Sequence, residues 1–413
     1  MKNRIHLISV CLSVIFSLDL SADDWYQAPP LLSPRGGAAA ISYSSYIYVF
    51  GGKTINNKVL ASVERYDIRT GIWDTTSVPA FQYPRYNASV VLFENKIYLM
   101  GGRDNNNRYK EVEVYDPAQN NWNTAHDLRK EREGLAGAVF NDRIYAIGGQ
   151  EDNYKLISEI EWYDQPGDDW LEAVFSLPYP RAAHFSSVDK NTFYMFGGFY
   201  YGPTAESYKA EPGTTGYQWI RLGDLDRGRA YGASVKVWNE IFLIGGETSE
   251  GKTSAVEVFN MKTETFGPCV PISSARSGLA AATVQDTIIF IIGGFETDLD
   301  EPVTTVEYYY GELISSVEAV PMNQPGKFVL IKGYPNPFNN AINLEVSIPM
   351  ADEYELSIFN ITGQKILTVF KGKLPGGTSN FRWQASEEIS SGLYIFSVHS
   401  QNYYQNYKLA YIK

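Results

Sequence analysis

The chain has 413 residues, enough for two domains, and 14% of them are aromatic, with 30 tyrosines against six methionines. A formal charge of −12 with no basic stripe argues against nucleic acid or another polyanion as partner, since a phosphate-binding surface needs clustered Lys and Arg. The abundance of Tyr, Trp and Phe favours pleated, half-buried surfaces and so β-structure.

From the N-terminus, Lys2 and Arg4 precede an almost wholly apolar or small run from Ile5 to Leu20, closed by Ser21-Ala22. That layout predicts a secretory signal peptide over 1–22, cut within a few residues of Ala22, because the run is short for a membrane span. No later segment is long and apolar enough to cross a bilayer, so the mature chain is expected to carry no membrane span. Cleavage leaves Cys269 alone, so no internal disulfide can form and burial must supply the stability.

A repeat then organises the chain. Glycine pairs end apolar-aromatic runs at Gly51-Gly52, Gly101-Gly102, Gly148-Gly149, Gly197-Gly198, Gly245-Gly246 and Gly293-Gly294, spaced 50, 47, 49, 48 and 48 residues apart. Arg35, Arg85, Arg132, Arg181 and Arg229 each stand 16 residues before a pair, and Arg276 stands 17 before the last. A large aromatic precedes each arginine: Trp25, Trp73, Trp122, Trp170, Trp219 and Phe266. Between glycines and aromatic lies an acidic-aromatic segment such as Val112-Glu-Val-Tyr-Asp116.

Each unit reads as two hairpins, so four antiparallel strands repeat radially as propeller blades. The stretch after each arginine, such as Gly134-Leu-Ala-Gly-Ala138, is rich in small residues and should be innermost, where least circumference is available. The sixth unit lacks a tryptophan strand, and the segment around Trp25 lacks the rest of a blade. Pairing the two closes a ring of six and removes two exposed edges.

These residues resemble the kelch repeat, whose hallmarks are the run into Gly-Gly, a Tyr-Asp and a spaced tryptophan. The resemblance spans 23–312 and implies a six-bladed kelch-type β-propeller. The fourth unit departs from it, with Tyr208-Lys209 read in place of Tyr-Asp, and the fifth has Phe259-Asn260 and Phe266.

After residue 312 the repeat stops, and Pro321, Pro325 and Gly326 mark a linker over 313–326. Residues 327–413 alternate as six or seven short strands, the pattern of a small Ig-like β-sandwich. This tail resembles the type A C-terminal sorting domain of the type IX secretion system. The motif Tyr334-Pro335-Asn336-Pro337-Phe338-Asn339, the Phe359–Lys365 hairpin and Ser391-Gly-Leu-Tyr394 carry the resemblance. It implies export to the periplasm, passage of the outer membrane with the type IX machinery as partner, and a protein secreted or held at the cell surface. An ordinary Ig-like accessory domain is the alternative.

The propeller reading also says where to look for function. Residues just after each arginine and just after each glycine pair should share one rim. The candidates there are Tyr86, Asn87, Arg103, Asp104, Gln150, Glu151, His184, Phe199, Tyr200, Tyr201, Tyr231, Glu247 and Glu296. Aromatic groups beside polar ones suit a protein or glycan ligand. The six arginines, at fixed spacing, are expected to be structural, each fork bonding carbonyls of a neighbouring loop.

No metal or cofactor is expected. A kelch-type copper oxidase would need a Tyr–Cys pair and clustered histidines, and the mature chain has only His126, His184 and His399. No zinc spacing, P-loop or nucleophile elbow is present, so no catalytic residue is assigned. The favoured reading is a monomeric binding protein. An enzyme resembling the six-bladed kelch sialate mutarotases is the alternative, and a bare scaffold the third. The enzyme requires an Arg-plus-Glu pair deep in the channel, whereas a binding module requires an open aromatic rim.

Overall fold

The computed structural model describes residues 25–310 and 330–411, apart from 69, 214–215, 285–287, 298, 335–337, 349–350, 361–363, 387–388, 391 and 401–403. The expected signal peptide, the linker, and Pro335, Asn336 and Pro337 of the sorting motif therefore lie outside the described residues. The chain divides into two compact units, the first ending at Tyr310 and the second holding the C-terminal residues.

Both units are all-β. Among the described residues the first contains six antiparallel four-stranded sheets, five of them with all four strands side by side in chain order. Blade one runs Ala39–Tyr43, Tyr46–Phe50, Val63–Asp67 and Ile72–Asp74, and blades two to five follow the same plan. In blade six the fourth strand is the N-terminal Tyr26–Gln27, where Tyr26 pairs with Tyr308 and Gln27 with Glu307. The Trp25 ring lies 5.1 Å from that of Tyr309.

Each blade alternates side chains across its pleat, so both faces of its middle strands are buried and read as unbroken apolar runs such as Ile47–Phe50 and Ile241–Ile244. Clusters made from two neighbouring blades fill the spaces between sheets, as where Tyr48 and Phe50 meet Ile97, Leu99 and Tyr115. The tryptophans link blades in a second way. The indole N–H of Trp73, Trp122, Trp170 and Trp219 donates to Pro29, Pro79, His126 and Ser176 carbonyls of the preceding blade, at 2.7–2.9 Å. Trp25 donates to the Val270 carbonyl at 2.9 Å, which ties the ring closure to blade five.

The buried arginines explain the fixed spacing. Each guanidinium donates one arm to the carbonyl of the first glycine of its own blade's pair, at 2.7–3.2 Å from Gly51, Gly101, Gly148, Gly197, Gly245 and Gly293. The other arm meets a glutamate on the same blade: Glu64, Glu113, Glu161, Glu206, Glu257 or Glu307. Burial pulls all six guanidinium groups below the usual arginine range, and the facing carboxylates oppose that pull. The glycines take positive φ, 60° at Gly51 and 95° at Gly52, and a Cβ on Gly51 would lie 2.3 Å from the Arg85 carbonyl oxygen.

Blade four corrects the sequence reading. Strand pairing sets Tyr208 opposite Met195, as Glu161 sits opposite Ala146, so Tyr208 occupies the glutamate position. Ala210, opposite Phe193, stands where other blades carry the tyrosine of Tyr-Asp. The departure is therefore a lost clamp glutamate, with Glu206 supplying the carboxylate from two residues earlier.

The C-terminal unit packs two sheets, one of Leu330–Tyr334, Ala341–Ile348 and Gly377–Gln384, the other of Lys365–Leu374, Asp352–Asn360, Gly392–His399 and Tyr404–Tyr411. Alternating Ile342, Leu344 and Val346 face Leu356, Ile358, Phe396 and Val398 in its core. Phe338 of the sorting motif is buried there, its ring 5.1 Å from both Trp383 and Tyr411, while Tyr334 and Asn339 are exposed.

Candidate functional site

The rim is built by repeat geometry. In every blade the residue after the arginine pairs with the residue after the glycines: Gly36 with Lys53, Tyr86 with Arg103, Glu133 with Gln150, Ala182 with Phe199, Ala230 with Glu247, and Ser277 with Phe295. One residue further on, the blades are joined in a closed circle. Each backbone N–H of Gly37, Asn87, Gly134, Ala183, Tyr231 and Gly278 donates to the same position of the preceding blade, at 2.7–3.0 Å. All six take positive φ, between 51° and 67°. Glycine does so freely, whereas Asn87, Ala183 and Tyr231 hold a conformation that side chains disfavour. This circle frames the channel mouth and fixes its size.

Over the mouth the chemistry is uneven. Blades two and three supply a polar network in which Glu133 accepts from Arg103 at 3.0 Å, Arg108 at 2.8 Å and Asn87 Nδ2 at 3.0 Å. Arg108 also reaches Asp152 at 3.1 Å and Gln150 at 3.2 Å. Lys53 sits 5.5 Å from the Tyr86 ring centre and 6.0 Å from that of Phe295, in cation–π contact with both. Opposite them Phe199 and Tyr231 lie 6.5 Å apart. Burial first, then the carboxylates of Glu133 and Glu247, push the Tyr231 phenol up to about 12, so it remains a neutral donor.

The structure thus gathers Tyr86, Asn87, Arg103, Gln150, Phe199 and Tyr231 at the mouth, with Glu247 and Glu296 on the surrounding loops. It uses others differently. Asp104 accepts from the Asn106 and Asn107 backbone and from Tyr109, and against the pull of burial these bonds hold its carboxyl below the usual range, so it shapes its own loop. Glu151 pairs with Lys155 in the same loop. Tyr200 and Tyr201 stand with Tyr179 in a lateral cleft of about 450 Å³. His184 is a correction: it is buried against Gly148 and Gly198, in a slot filled by Leu135 in blade three and Leu279 in blade six. Sequence reading missed Lys53, Arg108 and Phe295. Lys53 and Phe295 follow their glycine pairs as Arg103 does, so the same positional rule reaches them.

Beneath the mouth, a cavity of about 240 Å³ lies between the inner strands of blades one to four, lined by Ile41, Val90, Val139, Ser186 and Val188 among others. The described residues lining it include no arginine–carboxylate pair of the kind the enzyme alternative requires. Burial raises the Glu240 carboxyl to about 7, but Glu240 begins its strand at the hairpin end away from the rim. Among the described residues no group of His, Cys, Asp and Glu is arranged to hold a metal ion, and no helix is long and apolar enough to cross a membrane.

Comparison with known proteins agrees with this architecture. Residues 8–198 match the KLHDC2/KLHL20/DRC7 Kelch-repeats domain, and residues 332–412 match the secretion system C-terminal sorting domain. Alpha-scruin of Limulus polyphemus is 26% identical over 52% of this chain and 25% of its own length. Kelch-like protein 25 of Xenopus tropicalis is 23% identical over 61% of this chain and 44% of its own. The chain thus spans less than half the length of these curated relatives. The solved structure of YjhT superposes with a TM-score of 0.61 at 16% identity, covering 69% of this chain and 98% of that one, a likeness of fold alone. The chain carries a kelch-repeat domain, folded as a six-bladed propeller, followed by a secretion-system C-terminal sorting domain that implies export.

Proposed function

We infer that this protein is a secreted or cell-surface binding module whose propeller rim holds a protein partner, exported through its sorting domain. The observation that carries this reading is the crown of apolar loop tips around the polar mouth. Ile55, Tyr154 and Leu299, from blades one, three and six, are exposed by 59%, 80% and 83%. Large apolar groups held outward at separate points around an Arg-rich, aromatic centre match the make-up of protein interfaces, where Tyr, Trp and Arg dominate.

The loops bearing them are braced against each other, by Asn105 on the Asn57 carbonyl at 2.8 Å, Arg108 on Asp152 at 3.1 Å and Lys252 on Asp300 at 2.9 Å. A braced surface loses little freedom on binding.

The test is retention of extracted surface proteins by the immobilised full chain. A Lys53→Ala, Arg103→Ala, Tyr231→Gly triple variant is expected to lower retention at least about ten-fold, the equivalent of ~1.4 kcal/mol. Tyr231→Gly keeps the backbone circle because glycine accepts its φ of 56°. Ile220→Ala, on an outer strand, is expected to change nothing. Equal retention by the triple variant and the wild type removes the rim from the function.

A further inference from the structure

Blade four breaks the repeat at three linked positions, and the break opens a cleft. In the other five blades, the residue three before the arginine donates its backbone N–H to the clamp glutamate. These donors are Leu32, Gln82, Arg129, Asp226 and Ser273, at 2.6–3.0 Å from Glu64, Glu113, Glu161, Glu257 and Glu307. In blade four that residue is Pro178, which has no N–H to give. The glutamate position is Tyr208, and the carboxylate comes from Glu206. Its side chain is 37% exposed, whereas the other five clamp glutamates are exposed by 12% or less.

This relocated carboxylate faces outward into the lateral cleft of about 450 Å³, with Tyr179, Tyr200, Tyr201, Pro203 and Thr204 on its walls. That size falls within the ~300–1,000 Å³ typical of small-ligand clefts. The Tyr200 ring lies 5.8 Å from Tyr179 and 4.7 Å from Tyr201. Tyr201 holds a positive φ of 57° at the lip and is almost wholly exposed. Glu206 is oriented from below, by Arg181 at 3.3 Å and the Tyr208 hydroxyl at 3.2 Å.

We propose that the blade-four cleft binds a neutral pyranose, its C–H face packed on the tyrosine rings and its hydroxyls donating to Glu206. The charge balance selects a neutral ligand. Arg181 already offsets the Glu206 carboxylate, so an amine finds no free negative charge, and an acidic sugar meets a carboxylate with no spare cation. An aromatic wall beside an oriented acceptor suits a polyol, whose faces are apolar and whose edges donate hydrogen bonds. This site goes beyond the rim reading and does not rest on it.

The test is saturation-transfer NMR on the full chain with neutral mono- and disaccharides of glucose, galactose, mannose and fucose, with glucosamine and glucuronate as charged controls. At least one neutral sugar is expected to bind, and both charged controls at least about ten-fold more weakly. Tyr201→Ala and Glu206→Gln are each expected to weaken the neutral sugar about ten-fold or more, while Arg103→Ala at the mouth leaves it unchanged. Tyr201 is exposed, so its variant folds even if Glu206→Gln does not. Binding by no neutral sugar, undiminished binding by Tyr201→Ala, or preference for glucosamine overturns the proposal. Unchanged protein retention by the mouth variant overturns the rim reading alone, whereas absent sugar binding by the wild type overturns the cleft alone, so the two failures are distinguishable.

Discussion

Glu161→Gln is expected to destabilise the propeller by about 3–5 kcal/mol, and Glu206→Gln by only about 1–2 kcal/mol, although both residues pair with the same repeat arginine. In blade three, Arg132 and Glu161 are both essentially without solvent access, and Glu161 also accepts the Arg129 backbone N–H at 2.8 Å. Removing the negative charge there strands a buried guanidinium and weakens the cap of a connecting loop. In blade four the carboxylate is part-exposed and accepts no loop N–H, because Pro178 offers none. Water can then take over part of its duty. Urea denaturation of the two variants beside the wild type measures both losses. Equal losses would show that the clamps act through something other than buried charge.

His184→Leu is expected to stabilise the protein, and to do so most in acid. The imidazole is buried with neither nitrogen hydrogen-bonded, and burial, followed by the nearby Arg181 charge, pulls its pKa from 6.5 down to about 3. The unfolded chain therefore takes up this proton first. Stability is undiminished above about pH 6.5 and falls as the pH drops towards 3, amounting to about 2 kcal/mol lost by pH 5. Leucine fills the equivalent slot as Leu135 and Leu279, so the replacement fits. At neutral pH it also removes two unsatisfied nitrogens, worth roughly 1–3 kcal/mol. Thermal melts of both proteins at pH 7.5 and pH 5 check this. A variant that loses as much stability as the wild type on acidification would place the acid sensitivity elsewhere.

The fold was legible because its signals recur. Gly51, Gly101 and their counterparts each need positive φ and close backbone approach, and each arginine must reach a glycine carbonyl, so neither residue nor spacing can drift. The mouth was legible in part for the same reason: Arg103, Gln150, Phe199 and Glu247 were found by position after a glycine pair. What escaped depended on through-space pairing. Tyr208 was aligned with the tyrosine of other blades, and only the pairing with Met195 shows that it replaces a glutamate. Asp104 and Glu151 were read as ligand groups, yet Tyr109 and Lys155 in their own loops claim them.

Taken alone, the amino-acid order determined the ring of six blades, its closure partner and the C-terminal sandwich. Those follow from periodic demands on backbone and packing, repeated often enough to be read in one dimension. Which polar groups are claimed by neighbours and which are left open was decided only by the tertiary structure. A carboxylate, an imidazole or a phenol looks the same in sequence whether neighbours satisfy it or leave it open. That difference is set by groups 14–36 residues away, as Arg181 and Pro178 set the state of Glu206 and as Gly148 and Gly198 beside His184 seal it from water.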